Sequence, residues 1–162
     1  MRFLYDAGMS ARDYERIARS VAPAGDPLQG MQAVVDTLWT ALHGTGVSWV
    51  GFYLPEGDDQ LVCGPRRDKP ACSPIGLHGV CGRAFTQRAA QVVRHVGELG
   101  ENYVACDPRD RSEVVVPLLR ANGTCWGVLD LDSHDIGAFD ATDVAGLQLV
   151  LRAAGLTEEK GS

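Results

Sequence analysis

Two kinds of side chain in this sequence are equipped for covalent or acid–base chemistry, its cysteines and a group of carboxylic acids toward the C-terminal half. Asp130 and Asp132 lie two residues apart in a β-rich stretch, and Glu113 opens another. Side chains two apart on a strand share a face at about 7 Å. If the strand of Thr124 to Leu131 continues, two or three carboxyls converge on one pocket at the end of a sheet. Like charges that close raise at least one pKa. A carboxyl kept protonated near neutrality donates a proton, and one left ionised binds an ammonium group. On pattern alone, Asp132-Ser133 with Asp135 reads rather as a polar turn, and both readings stand open.

The thiols are Cys63, Cys72, Cys81, Cys106 and Cys125. Cys63 and Cys125 fall inside strand-like runs and read as small packed hydrophobes. Cys72 follows Lys69-Pro70-Ala71 in a loop, and Cys106 lies with Asp107 in a long polar stretch between Arg94 and Arg111. Loop cysteines are the more exposed and reactive kind. Two or three within reach of one another permit nucleophilic attack followed by disulfide formation, although pattern alone favours plain packing. The set is odd in number and contains no C-x-x-C pair. The spacing of Cys72, His78, Cys81 and Cys106 matches no zinc ribbon or finger, so no metal is expected. GLHGVCG (76–82) is not a phosphate-binding loop, and neither a Gly-x-Ser-x-Gly elbow nor a Ser/His/Asp set is recognisable. Trp49 and Tyr53, on one face of a strand, are core by default.

These residues need a scaffold, and 162 residues suffice for one compact domain, with a core over about 10–155. With 45% hydrophobic and 22% charged residues, the chain is neither disordered nor fibrous. At this length a hydrophobic core suffices without staples. Ser10 to Ser20 has a serine start and apolar Tyr14, Ile17 and Ala18, which predicts a first helix. Leu28, Met31, Val34, Val35, Leu38 and Leu42 recur at helical steps before His43-Gly44. From Val47 the period changes to two, placing Val47, Trp49, Gly51 and Tyr53 on one face. Gln60 to Gly64 returns after a Pro55–Asp59 turn, Gly79 to Gln87 forms a short helix, and Val92-Val93 a brief strand. Ser112 to Leu119 and Thr124 to Leu131 make a hairpin around Asn122-Gly123. A last helix follows, capped by Asp140, with Val144, Leu147 and Leu151 on its stripe. The result is an α+β domain with a central antiparallel sheet and helices packed on it.

Fifteen basic against 21 acidic residues give a net charge of −6, which disfavours binding to a phosphate backbone. No apolar run has the length of a membrane span, and the charged start of the chain lacks the centre of a signal peptide. A soluble cytoplasmic protein with reduced thiols is therefore expected.

Six segments in order, SWVGFYL (48–54), GP…KPAC (64–72), GVCG (79–82), VACD (104–107), SEVVVPL (112–118) and GVLDLDS (127–133), together resemble free methionine-(R)-sulfoxide reductases, which are stand-alone GAF-domain enzymes. The resemblance runs from about Asp13 to the final helix. It implies a GAF-like fold and reduction of the free amino acid sulfoxide through a cysteine sulfenic acid. In that reading Cys106 attacks the sulfoxide sulfur, Cys72 resolves the sulfenic acid as a disulfide, and Cys81 is an alternative or later partner. Glu113, with Asp130 or Asp132, polarises or protonates the oxygen, while the remaining carboxylate holds the ammonium group. Trp49 takes the S-methyl group and Tyr53 lines the same pocket. No cofactor is implied; thioredoxin and NADPH supply the electrons, and a homodimer accords with the family. Neighbouring acids disfavour a thiolate, so activation falls to protonation of the sulfoxide oxygen. Arg66-Arg67-Asp68, Gly76-Leu77-His78 and the wording of Pro27 to Leu42 depart from the family pattern. Two competing readings are a GAF-type small-ligand sensor without catalysis, weakened by the lack of an effector domain, and a redox switch without a substrate.

Overall fold

The structure, a computed structural model, describes residues 12–100 and 106–159. Helix α1 (Tyr14–Arg19) begins later than the sequence predicts, because the Asp13 carboxylate accepts the Arg16 amide and caps it. The serine expected to start it, Ser10, lies outside the described residues. Helix α2 (Pro27–Leu42) carries Pro27 in its first turn, where the missing N–H costs nothing, and Asp26 caps it by accepting from the Leu28 amide. Met31, Val34, Val35, Leu38 and Leu42 are buried as their spacing demands, but Leu28 is 53% exposed. Gly30 takes the buried place in that turn, its backbone close to Leu156.

Strands β1 (Val47–Glu56), β2 (Gln60–Arg67) and β3 (Ile75–Gly76) follow, then α3 (Val80–Gln87), β4 (Gln91–Val93), β5 (Ser112–Leu119), β6 (Cys125–Ser133) and α4 (Ala141–Ala153). They form a six-stranded sheet in the order β3-β2-β1-β6-β5-β4, with every pairing antiparallel. The return strand runs three residues beyond the expected Gly64. The β5–β6 turn is the predicted one, with Gly123 at φ +88° and its N–H donated to the Arg120 carbonyl. Asp140 and Asp143 make a reciprocal capping box on α4.

The sheet separates two cores. Helices α1, α2 and α4 cover one face, meeting Val50 and Phe52 of β1, Val114, Val116 and Leu118 of β5, and Leu129 and Leu131 of β6. Each such fully buried side chain contributes roughly 1.5–3 kcal/mol by leaving water. On the other face Trp49, Tyr53, Leu61, Val115 and Val128 meet α3 and the loops around it. Strict alternation would put Val47 with Trp49, but β1 shifts register against β6 between those residues. That bulge turns Val47 to the helix side while Trp49 and Tyr53 keep the opposite face. No helix among the described residues is long and apolar enough to cross a membrane.

Candidate active site

The face opposite the three helices opens into a cavity of about 320 Å³, within the size range of small-molecule sites. Strand β1 supplies Trp49 and Tyr53, β5 supplies Glu113, β6 supplies Asp130 and Asp132, and α3 supplies Cys81. Two loops complete the wall, one with Lys69 to Ala71 and one with Cys106 to Asp110. Thus all the residues that sequence reasoning singled out for chemistry converge here except Cys72, which sits behind the rim as the bonded partner of Cys106.

The floor is acidic because of strand parity and register. Strand β6 runs on to Ser133, so Asp132 belongs to the strand and not to the polar turn that pattern alone favours. Asp130 and Asp132 therefore face the cavity, while Leu129 and Leu131 between and beside them fill the helix-side core. Glu113 pairs directly with Asp132 across β5 and β6, with Val115 opposite Asp130. Asp130 is 4% exposed and one of its oxygens has no hydrogen-bond partner. Burial first, and then the charges of Asp132 and Glu113, push the Asp130 carboxyl well above the usual carboxylate range. Burial raises Glu113, while its hydrogen bonds with the two aspartates oppose the shift. Asp132 is raised by burial, then by Glu113 and Asp110. These upward shifts favour the protonated form within the trio, the form that can act as a proton donor.

Cys81, at the start of α3, has its sulfur within 4.8 Å of oxygens of both Glu113 and Asp130. Burial and then those acids hold its thiol protonated well above the ordinary cysteine range. Cys63 and Cys125 are free, half-buried strand thiols, also raised by burial.

The aromatic wall is built around a missing side chain. Trp49 and Tyr53 place their ring centroids 6.0 Å apart, and a Cβ at Gly51 would overlap the Trp49 indole. Their polar tips hold the loop that brings in Cys72. The Trp49 indole N–H donates to the Lys69 carbonyl at 3.0 Å, and the Tyr53 hydroxyl to the Cys72 carbonyl at 2.9 Å. That loop reaches the rim, where Cys72 and exposed Cys106 are disulfide-bonded with Cα atoms 5.5 Å apart. Val104 and Ala105 of the VACD segment lie outside the described residues.

Sequence reasoning missed the charged rim. Asp107 pairs with Lys69 and accepts from Arg109, which holds its carboxyl well below the usual range. His134 lies 3.5 Å from Asp107 and 3.9 Å from Asp110. The sequence signal for this group is slight, since Lys69 and His134 come from loops 65 residues apart in the chain. Among the described residues, two clusters bring possible metal-ligand atoms within 4.8 Å of one another: Cys81, Glu113 and Asp130, and Asp107, Asp110 and His134. The first has a protonated thiol and raised acids; in the second, Lys69 and Arg109 already occupy Asp107. Neither donor set has the character of a metal centre.

Residues 26–157 match the GAF domain family. The chain is 42% identical over 106 residues to the free methionine-R-sulfoxide reductase of Escherichia coli, a match covering 64% of this chain and 62% of that enzyme. It is 35% identical over 111 residues to the free methionine-R-sulfoxide reductase of Saccharomyces cerevisiae, covering 65% and 61%. The chain thus spans about three fifths of the length of these curated relatives. Among solved structures, the free methionine-R-sulfoxide reductase of Neisseria meningitidis in complex with its substrate superposes with a TM-score of 0.77 at 32% identity, covering 93% of this chain and 92% of that one.

Proposed function

The chain belongs to the GAF domain family, and from that premise we propose that it is a reductase of free L-methionine-(R)-sulfoxide. The observation that carries this reading is the Cys72–Cys106 disulfide at the rim of a cavity floored by three carboxylic acids. A GAF module that only holds a ligand has no use for a thiol pair at the mouth of its pocket. The substrate-bound Neisseria relative supports the substrate class.

In this mechanism a protonated member of the acid trio, Glu113 with Asp130 or Asp132, donates to the sulfoxide oxygen and makes the sulfur the better electrophile. Cys106 attacks, oxygen passes to it as a sulfenic acid, and methionine is released. Cys72 then attacks the sulfenic sulfur, water leaves, and the disulfide forms. The carboxylate that stays ionised holds the substrate ammonium, which selects the free amino acid over a peptide-bound residue. Trp49 packs on the S-methyl group and Tyr53 closes the same wall. Cys81, buried and protonated on the floor, is a reserve thiol for later exchange. No prosthetic group takes part. A thioredoxin, itself reduced through NADPH, returns the disulfide to thiols in the cytoplasm, and the whole of 1–162 acts as one GAF domain.

The test is thioredoxin-coupled NADPH oxidation with the free (R) sulfoxide, the (S) epimer and an N-acetylated substrate, for the wild type and Cys106→Ser. Turnover of the free (R) form alone, abolished in the variant, is the expected result. A folded protein with accessible thiols and no turnover would make this a binding module.

A further inference from the structure

Two acids in the cavity wall, Asp107 and Asp110, have no part in the mechanism above. Asp110 closes the turn that follows Cys106, donating its N–H to the Asp107 carbonyl at 3.0 Å. It is only 7% exposed, and its Oδ1 has no hydrogen-bond partner. It lines the same cavity as Cys106, Glu113 and Asp132. Its Oδ1 lies 3.9 Å from the half-exposed His134 imidazole, which borders solvent. A buried carboxylate oxygen without a partner calls for an explanation.

On the reductase reading, the chemistry leaves a task undone. Cys106 attacks as a thiol, so its proton must go somewhere while another acid protonates the oxygen. We infer that Asp110 holds that proton, accepting it from the Cys106 thiol during attack and passing it back to the acid that gave up its own. The step balances: the S–H bond of Cys106 and the sulfoxide S–O bond break, and an S–O bond to Cys106 and an O–H bond form. The substrate sulfur gains two electrons and the cysteine sulfur loses two. One proton leaves the acid trio for the oxygen, and the thiol proton moved through Asp110 replaces it.

The surroundings suit Asp110 and exclude its neighbours. Asp107 stays ionised because Lys69 and Arg109 occupy both its oxygens, so it cannot hold a proton near neutrality. Glu113 and Asp132 face Asp110 from β5 and β6, where they serve as donors. Burial first, then the Asp107 charge and more weakly Glu113, against the pull of Lys69 and Arg109, push the Asp110 carboxyl up to about 7. Both its protonation states are therefore populated at neutral pH, as a proton carrier requires.

The experiment is a single-turnover burst: pre-reduced protein mixed with free methionine-(R)-sulfoxide and no electron donor, with methionine release followed from pH 5.5 to 9. Wild type, Asp110→Asn, Asp110→Glu and His134→Gln are compared, each checked for native unfolding temperature. In the wild type the burst rate rises with pH through about 7, because only the ionised form of Asp110 accepts a proton. Asp110→Asn is expected to slow the burst about 100-fold and abolish the rising limb, with half-saturation unchanged. Asp110→Glu restores most of the rate, and His134→Gln shifts the rising limb without removing it. An Asn variant with the wild-type rate and profile overturns the inference, as does a loss confined to half-saturation. A wild type that releases no methionine refutes the reductase reading itself and this inference with it.

Discussion

On the proposed mechanism the Cys72–Cys106 disulfide is a catalytic intermediate, and because it also restrains the chain, each turnover should change the stability of the fold. Cys72 and Cys106 are 34 residues apart, and the loop they close holds β3, α3 and β4, of which β3 and the start of α3 line the cavity. Cross-linking a loop of that length removes about 13 cal/mol/K of unfolded-chain entropy, or about 4 kcal/mol at 25 °C. For a chain of this size, each kcal/mol corresponds to roughly 2–4 °C in Tm, so the oxidised protein should melt about 8–16 °C above the reduced one. The assay is calorimetry of the oxidised wild type, the wild type held reduced by a phosphine, and Cys106→Ser. The reduced wild type and the variant should coincide. Reductant should not move the variant, since Cys63, Cys81 and Cys125 are free thiols in either state. Oxidised and reduced wild types melting within about a degree of each other would refute this reasoning, because a bond closing so long a loop cannot be thermodynamically silent unless the loop is already unfolded.

Two further outcomes follow from the floor and the wall. Glu113→Gln and Asp130→Asn should each slow coupled turnover by at least about 100-fold, while urea midpoints hold or rise because a neutral amide relieves the crowding of buried acids; near-normal rates in both would defeat the acid mechanism. Gly51→Val places a branched side chain where the Trp49 indole lies, so KM should rise at least about tenfold with the far-ultraviolet spectrum unchanged. A KM equal to wild type would remove Trp49 from the substrate wall.

Much of the scaffold was legible because local chemistry and tertiary context agree. The helical steps from Met31 to Leu42, the Asp140 cap and the Asn122-Gly123 turn each carry their own signal, and the sheet respects all of them. Leu28 and Val47 are the instructive failures: a glycine buried in one first turn and a bulge in one strand moved residues whose periodicity placed them elsewhere. The parity of Asp130 and Asp132 could be read from spacing, but not that β6 extends far enough to keep Asp132 in register with Glu113. That depends on pairing with β5, which no local pattern reports. The pairing of Cys72 with Cys106 came from family resemblance and not from spacing. The rim of Lys69, Asp107, Asp110 and His134 was invisible for a related reason, since loops distant in sequence assemble it and leave no period to read.

The two rings of the aromatic wall have a last consequence. Trp49 and Tyr53 line the cavity and give their polar tips to the carbonyls of Lys69 and Cys72. Ligand fit and the reach of the loop cysteine are therefore inherited together. A heritable change at either ring alters two phenotypes at once, so a lineage adapting this pocket to a larger ligand must also re-anchor its cysteine loop. Position 51 is bound into the same linkage, because any side chain there displaces the Trp49 indole that anchors the loop.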